Sequence, residues 1–222
     1  MNNQKIILDL CGGTGSWSKP YKEAGYDVRV ITLPYHDVTR FDYNAEINLL
    51  RFPRDKYAEI DWLIKPEEVY GIFAAPPCTM FSRARTTAKT PRDFEGAMKV
   101  VQACLQIIWR VQYENQFGLK FWAMENPAGH LKRFLGKPAF KFHPYDFGDR
   151  HSKETYIWGN FNEPKKNPVK LNEEEIIRSR NNTRILPPIP EDYKQDGKMK
   201  PVQIRRSITP AGFAEAFFKA NQ

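Results

Sequence analysis

The sequence predicts an α/β fold built on a parallel sheet, and three observations predict it. Short apolar runs suited to buried strands recur at residues 5–10, 26–33, 70–74 and 119–124. The first run passes through Cys11-Gly12-Gly13-Thr14-Gly15 into a helical segment ending at Gly25, which is the opening of a βαβ unit. The third and fourth runs stop at Pro76-Pro77-Cys78 and Glu125-Asn126-Pro127. Proline cannot donate to a sheet ladder, so each strand ends there and hands its next side chains to a loop. Ligands of open α/β sheets bind at such strand ends.

The elements can be justified in order. Lys5-Ile6-Ile7-Leu8-Asp9-Leu10 is apolar enough for a central strand, and the glycines after it let the backbone approach a ligand. Residues 16–25 read as a helix and 26–33 as the second strand. A dinucleotide-binding unit would end that strand on an acidic ribose ligand, whereas this one ends Leu33-Pro34-Tyr35-His36, with Asp37 the nearest carboxylate. Between Asp37 and Pro66 the pattern gives short turns and one amphipathic piece. After Cys78, Ser82, Arg83, Arg85 and the residues up to Arg92 form a polar stretch with four basic residues and no apolar periodicity. It reads either as a mobile lid over an anionic substrate or as a solvated loop.

Residues 93–111 form the best helix, with Phe94, Ala97, Met98, Val101, Leu105, Ile108 and Trp109 at spacings of three and four and Asp93 as its cap. Cys104 lies beside that stripe as a packing residue. Residues 128–134 suggest a short helix and 155–159 a further strand, while His143, set among aromatics, reads as structural. From 160 to 205 the chain turns basic and proline-rich, with Lys165, Lys166, Lys170, Arg178, Arg180, Arg184, Lys194, Lys198 and Lys200 among five prolines. That stretch suits a nucleic-acid-facing appendage or a flexible insertion. Residues 209–220 form an amphipathic helix that packs back on the sheet. Three parts follow: 1–159 as the main domain, 160–205 as a small basic region and 206–222 as a C-terminal helix.

Bulk properties narrow the classes. The 222 residues are 41% hydrophobic, enough for one core, and 34 Lys and Arg against 26 Asp and Glu leave a net charge of +8 that favours a polyanionic partner. Cys11, Cys78 and Cys104 have neither disulfide-framework nor metal-ligand spacing, so no metal is expected and a reducing, intracellular setting is. No signal peptide or membrane-spanning run is expected. The four histidines are scattered, which speaks against a Ser-His-Asp hydrolase or a zinc enzyme.

Taken alone, Cys78 fits a small buried hydrophobe as well as a nucleophile. Taken together, Asp9-Leu10-Cys11-Gly12-Gly13-Thr14-Gly15, Pro76-Pro77-Cys78 and Glu125-Asn126-Pro127, in this order on strand ends, resemble the DNA (cytosine-5) methyltransferases over the first 130 residues or so. The resemblance implies a Rossmann-like fold of the S-adenosylmethionine-dependent class, with a mostly parallel sheet and helices on both faces. It implies S-adenosylmethionine as cofactor, held near Asp9, Cys11, Gly12, Gly13, Gly15, Trp17 and Pro76, with Asp37 beside the adenine. It makes Cys78 the nucleophile at C6 of cytosine and Glu125 the residue that protonates N3. Pro77, Ser82, Arg83, Arg85, Asn126, Pro127 and Arg150 fall to a DNA substrate whose target base is flipped out of the duplex. Where the family has two arginines one residue apart, this chain has Ser152 and Glu154, so Lys153 or Arg150 is left to supply the positive charge. The family's recognition region is reduced to 160–205, which implies short or relaxed sequence specificity. Methylation of a free pyrimidine nucleotide or of RNA, and an inactive nucleic-acid-binding module, remain open alternatives.

Overall fold

The uninterrupted apolar run at the N-terminus forms β1 (Ile6–Leu10), buried at every position because sheet neighbours flank it and helices cover both its faces. In the computed structural model, which describes residues 5–86, 88–191, 193 and 199–222, β1 lies inside a six-stranded sheet. Thr87, Lys194, Lys198 and the side chain of Arg180 lie outside the described residues. The neighbours of β1 are β2 (Asp27–Ile31) and, beyond the small sheet of β3 (Asp42–Asn44), β4 (Leu49–Phe52) and β5 (Trp62–Ile64), the strand β6 (Val69–Ala74).

After α1 (Lys19–Glu23) and α2 (Phe94–Glu114) come β7 (Phe121–Pro127), α3 (Lys132–Leu135), β8 (Phe140–Phe142) and β9 (Thr155–Asn160). The strand order is β2-β1-β6-β7-β9-β8, parallel from β2 to β7, with β9 antiparallel to both β7 and β8. The chain is therefore α/β with a mostly parallel mixed sheet, consistent with a Rossmann-like fold.

Strand alternation sends neighbouring side chains to opposite faces, and the two faces differ in chemistry. On one side Leu8, Leu10, Ile72 and Met124 meet Val101, Cys104, Ile108 and Val111 of α2, whose start is capped by Asp93 accepting from Gly96 N at 2.8 Å. On the other side Ile7, Phe73 and Phe121 meet Trp17, Tyr21, Phe213 and Phe217, the last two from α6 (Ala211–Asn221). Ring contacts tie this layer together, with Phe73 centred 4.5 Å from Trp17 and 5.3 Å from Phe217. The C-terminal helix thus packs against the sheet as its amphipathic pattern predicts.

Three expectations need correction. Residues 37–66 contain the antiparallel sheet β3-β4-β5, with Leu50, Phe52 and Ile64 in the core. Strands of three or four residues carry too few alternations to register as a period. The first helix is shorter than 16–25, because Gly15 takes φ +68° and the chain stays in turns up to α1. The basic region is not a free appendage: Asn167 N and Val169 N donate to Asp146 O and Tyr145 O, and Leu186 and Ile204 are buried. It contains α4 (Glu173–Asn181) and most of α5 (Pro201–Ser207), so the expected junction between 205 and 206 falls inside a helix. Among the described residues no helix is long and apolar enough to cross a membrane, and no group of three or more His, Cys, Asp and Glu could hold a metal ion.

Candidate active site

Strands β6 and β7 are parallel neighbours, so the polar ends that follow Ala74 and Met124 emerge at one edge of the sheet. Pro76 is buried and Pro77 exposed, and Cys78 is half-buried at the head of a turn in which Phe81 N and Ser82 N both donate to its carbonyl. Glu125 sits on β7 opposite Ile157 of β9, and Lys153, just before β9, places Nζ 3.5 Å from its Oε1. Both side chains are largely withdrawn from water, with 27% of Lys153 and 19% of Glu125 exposed. Both charges reach Cys78. Burial pushes the Cys78 thiol above its ordinary range, the Lys153 ammonium pulls it back and the Glu125 carboxylate pushes it up further. Thiol, carboxylate and ammonium form one electrostatic cluster.

The two candidates for the positive charge are separated by their partners. Arg150 pairs with Glu175 of α4 in a short contact, while 60% of its side chain stays exposed. Lys153 also donates to the carbonyl of Arg206 at 3.2 Å, which fastens α5 to the cluster. A backbone carbonyl leaves no trace in a sequence pattern, so nothing in the chain pointed to that contact. Ser152 is buried, with Oγ 3.3 Å from His143 Nδ1, and His143 stacks on Tyr145 at 4.8 Å. Glu154 pairs with Arg83 at 3.2 Å.

Several side chains expected to touch ligands also make contacts within the fold. Asn126 is fully buried, and its amide donates to Pro76 O at 2.9 Å, which locks the β7 end to the Cys78 loop. Its Oδ1 has no hydrogen-bond partner among the described residues. Pro127 pairs with Thr155 in the sheet. Trp17 is 2% exposed within the aromatic layer, and its Nε1 has no hydrogen-bond partner among the described residues. The Cys11 thiol turns toward Cys104 in the opposite layer, and burial and that neighbour hold it well above the usual thiol range. Asp37 caps the turn Val38–Arg40, accepting from Thr39 N at 2.9 Å and Thr39 Oγ1 at 2.7 Å.

The stretch after Cys78 is held rather than loose. Arg92, which no pattern singled out, donates to the carbonyls of Met80, Ser82 and Arg85. Arg85 is spent on Thr90 and Pro91, and Ser82 bridges to Gly129 while its Oγ accepts from Ala84 N. Gly129 has to be glycine, because a Cβ there would come within 2.2 Å of Phe81 O. Of the expected basic contacts, Arg83 stays exposed at 67% of its side chain and Arg150 at 60%.

At the neighbouring strand end Asp9 lies under the glycine turn, fully buried, and accepts from Ser18 Oγ at 2.5 Å. A Cβ on Gly12 would fall 2.3 Å from its carboxyl carbon, so this glycine is what lets the turn close over Asp9. Burial raises the Asp9 pKa from 3.8 to about 6, against the lowering effect of Ser18. The side chain supports the turn, and its Oδ1 has no hydrogen-bond partner among the described residues. Gly13 takes φ +56° with nothing within 4 Å of where a Cβ would stand, so a ligand can approach its backbone. Next to it a cleft of about 720 Å³ opens, lined among others by Thr14, Gly15, Ser16, Lys153, Arg206 and Thr209. Cys78 and Glu125 do not line it; Lys153 links the cleft to them.

No protein-family model and no curated protein matches this chain.

Proposed function

We propose that this protein is a DNA (cytosine-5) methyltransferase in which Cys78 is the nucleophile. The observation that carries the reading is the meeting of Cys78, Glu125 and Lys153 at the ends of adjacent parallel strands, with the ion pair of 3.5 Å beside the thiol. Addition of a thiolate to C6 of cytosine displaces an electron pair into the ring, and the charge is neutralised only if a proton arrives at N3. In this reading Glu125 delivers that proton, and Lys153 orients Glu125 while favouring the thiolate of Cys78. Because the thiol is raised by burial, Cys78 stays protonated at neutral pH until the base arrives and the Lys153 field acts on it.

The site also fits a cofactor. The open backbone face at Gly13 and the adjoining cleft of about 720 Å³ accommodate S-adenosylmethionine, with Gly13, Thr14, Gly15 and Ser16 as the residues that would hold it. Asp37 remains the carboxylate that the resemblance assigns to the adenine. When bound, S-adenosylmethionine supplies the methyl group that C5 of cytosine receives. The net charge of +8 favours DNA as partner, with exposed Arg83 as the group nearest the Cys78 loop for a phosphate. An intracellular setting, where thiols stay reduced, belongs to the same proposal.

The test mixes protein, tritiated S-adenosylmethionine and duplex DNA, with RNA and dCMP as competing acceptors. Wild type should transfer label to DNA and be trapped covalently by a 5-fluorocytosine oligonucleotide, and Cys78→Ser should do neither. Transfer that survives in Cys78→Ser removes the mechanism. Label that goes to RNA or dCMP alone changes the substrate.

A further inference from the structure

The outer face of α2 carries large aromatic side chains that the fold leaves in water. Trp109 is 76% and Tyr113 70% exposed, one helical turn apart, and Phe117 is 89% exposed in the turn that follows. Their rings lie on the far side of the helix from Ile107, Ile108 and Val111, which fill the core. Contiguous exposed apolar area of this kind marks an interface. We infer that this face pairs two copies of the chain around a twofold axis, with the two α2 helices antiparallel.

The area, the symmetry and the charge all favour a second copy. Aromatic side chains bury about 150–250 Å² each. At the observed exposures three of them bring about 470 Å² per protomer and roughly 940 Å² in all, close to the ~1,000 Å² that a biological interface has to clear. Two residues one turn apart are self-complementary: an axis between them sets Trp109 of one copy on Tyr113 of the other and repeats the contact. The same axis sets Arg110 opposite Gln112, so no like charges meet.

The patch also carries little net charge in a protein of net charge +8. Arg110 lies 4.1 Å from the Tyr43 ring centre and pairs with Glu114 at 3.2 Å. Lys120 Nζ donates to Phe117 O at 3.3 Å. A nucleic-acid strand stacked on the rings would need cations free to meet its phosphates, and these two are engaged within the chain. The inference does not depend on the function proposed above.

Sedimentation velocity of the full chain over a wide concentration range tests it. The expected result is a mass rising from 25.9 kDa to twice that value with concentration. Tyr113→Glu and, separately, Trp109→Ser should hold the mass at the monomer value, with far-UV circular dichroism unchanged because both side chains already lie in water. Ile60→Ser, at a residue 62% exposed elsewhere on the surface, should leave the dimer intact. A monomer at every concentration, a dimer that survives both α2 changes, or association seen only on adding an oligonucleotide overturns the inference.

Discussion

Asp9 and Glu125 are two carboxylates on strands separated only by β6, and their surroundings give them opposite characters. Asp9 is sealed beneath the glycine turn, where one hydroxyl donor cannot offset the loss of water, so its pKa climbs to about 6. Glu125 stands at an edge where an ammonium answers it and a thiol lies within reach of both. The difference teaches that position along an α/β sheet selects where a carboxylate stands, while the cation beside it selects what it can do. Asp9 supports a turn; Glu125 faces an ammonium and a thiol, where the proposed reading has it deliver a proton.

The comparison breaks most visibly at Glu125. Glu125→Gln should lower methyl transfer by about 10²–10⁴-fold, the usual span for a lost proton donor, with little change in melting temperature. Single-turnover transfer to a cytosine-containing duplex measures it, and a near-normal rate would place Glu125 with Asp9 as a structural group.

Asp9→Asn should act on stability in the opposite sense. A carboxyl whose folded pKa lies above its unfolded value contributes stability that is present below pH 3.8 and lost as pH rises through about 6. A neutral Asn escapes that loss and keeps an acceptor for Ser18. At pH 7.5 the variant should therefore be more stable by up to about 3 kcal/mol, the equivalent of a rise from 3.8 to about 6, and the gain should vanish toward pH 4. Urea unfolding at several pH values reads this directly, and a variant less stable than wild type at pH 7.5 would mean that the carboxylate has a partner stronger than Ser18.

Lys153→Met removes the charge that lowers the Cys78 thiol and leaves the carboxylate that raises it. The pH midpoint for alkylation of Cys78 by iodoacetamide should move upward, and Lys153→Arg should restore it. An unmoved midpoint would detach Lys153 from the thiol. The smallest effect belongs to Arg150→Ala: its ion pair with Glu175 leaves 60% of the arginine side chain exposed, so stability should fall by no more than about 0.2–1 kcal/mol and alkylation of Cys78 should not change.

The end of β6 was legible because what marks it is local: an apolar run, then proline, then a polar side chain; β7 runs on through Pro127 in pairing with β9. Cys78 and Glu125 could be singled out from such local patterns and Lys153 only from the resemblance, and the sheet brings them to one edge. The orientation of side chains within the same motifs was not legible. Cys11 and Trp17 lie in or beside the glycine turn, yet one turns into the layer of α2 and the other into the layer of α6, and only the strand pairing and the packing of distant helices decide which. Asn126 adjoins Glu125 and faces the other way, since alternate residues of β7 point to opposite sides. The choice between Lys153 and Arg150 rested on Glu175 and on the Arg206 carbonyl, groups far along the chain.

By itself, then, the sequence determined the α/β alternation, the glycine turn, the long capped helix, expected over 93–111 and found at Phe94–Glu114, and the positions of the candidate groups, because short-range sterics and hydrophobic period carry that information. The tertiary structure alone decided which of those groups meet, which are sealed, and which face of α2 is left bare. Those outcomes depend on register and burial, which act between residues distant in the chain and set the dielectric around each charge.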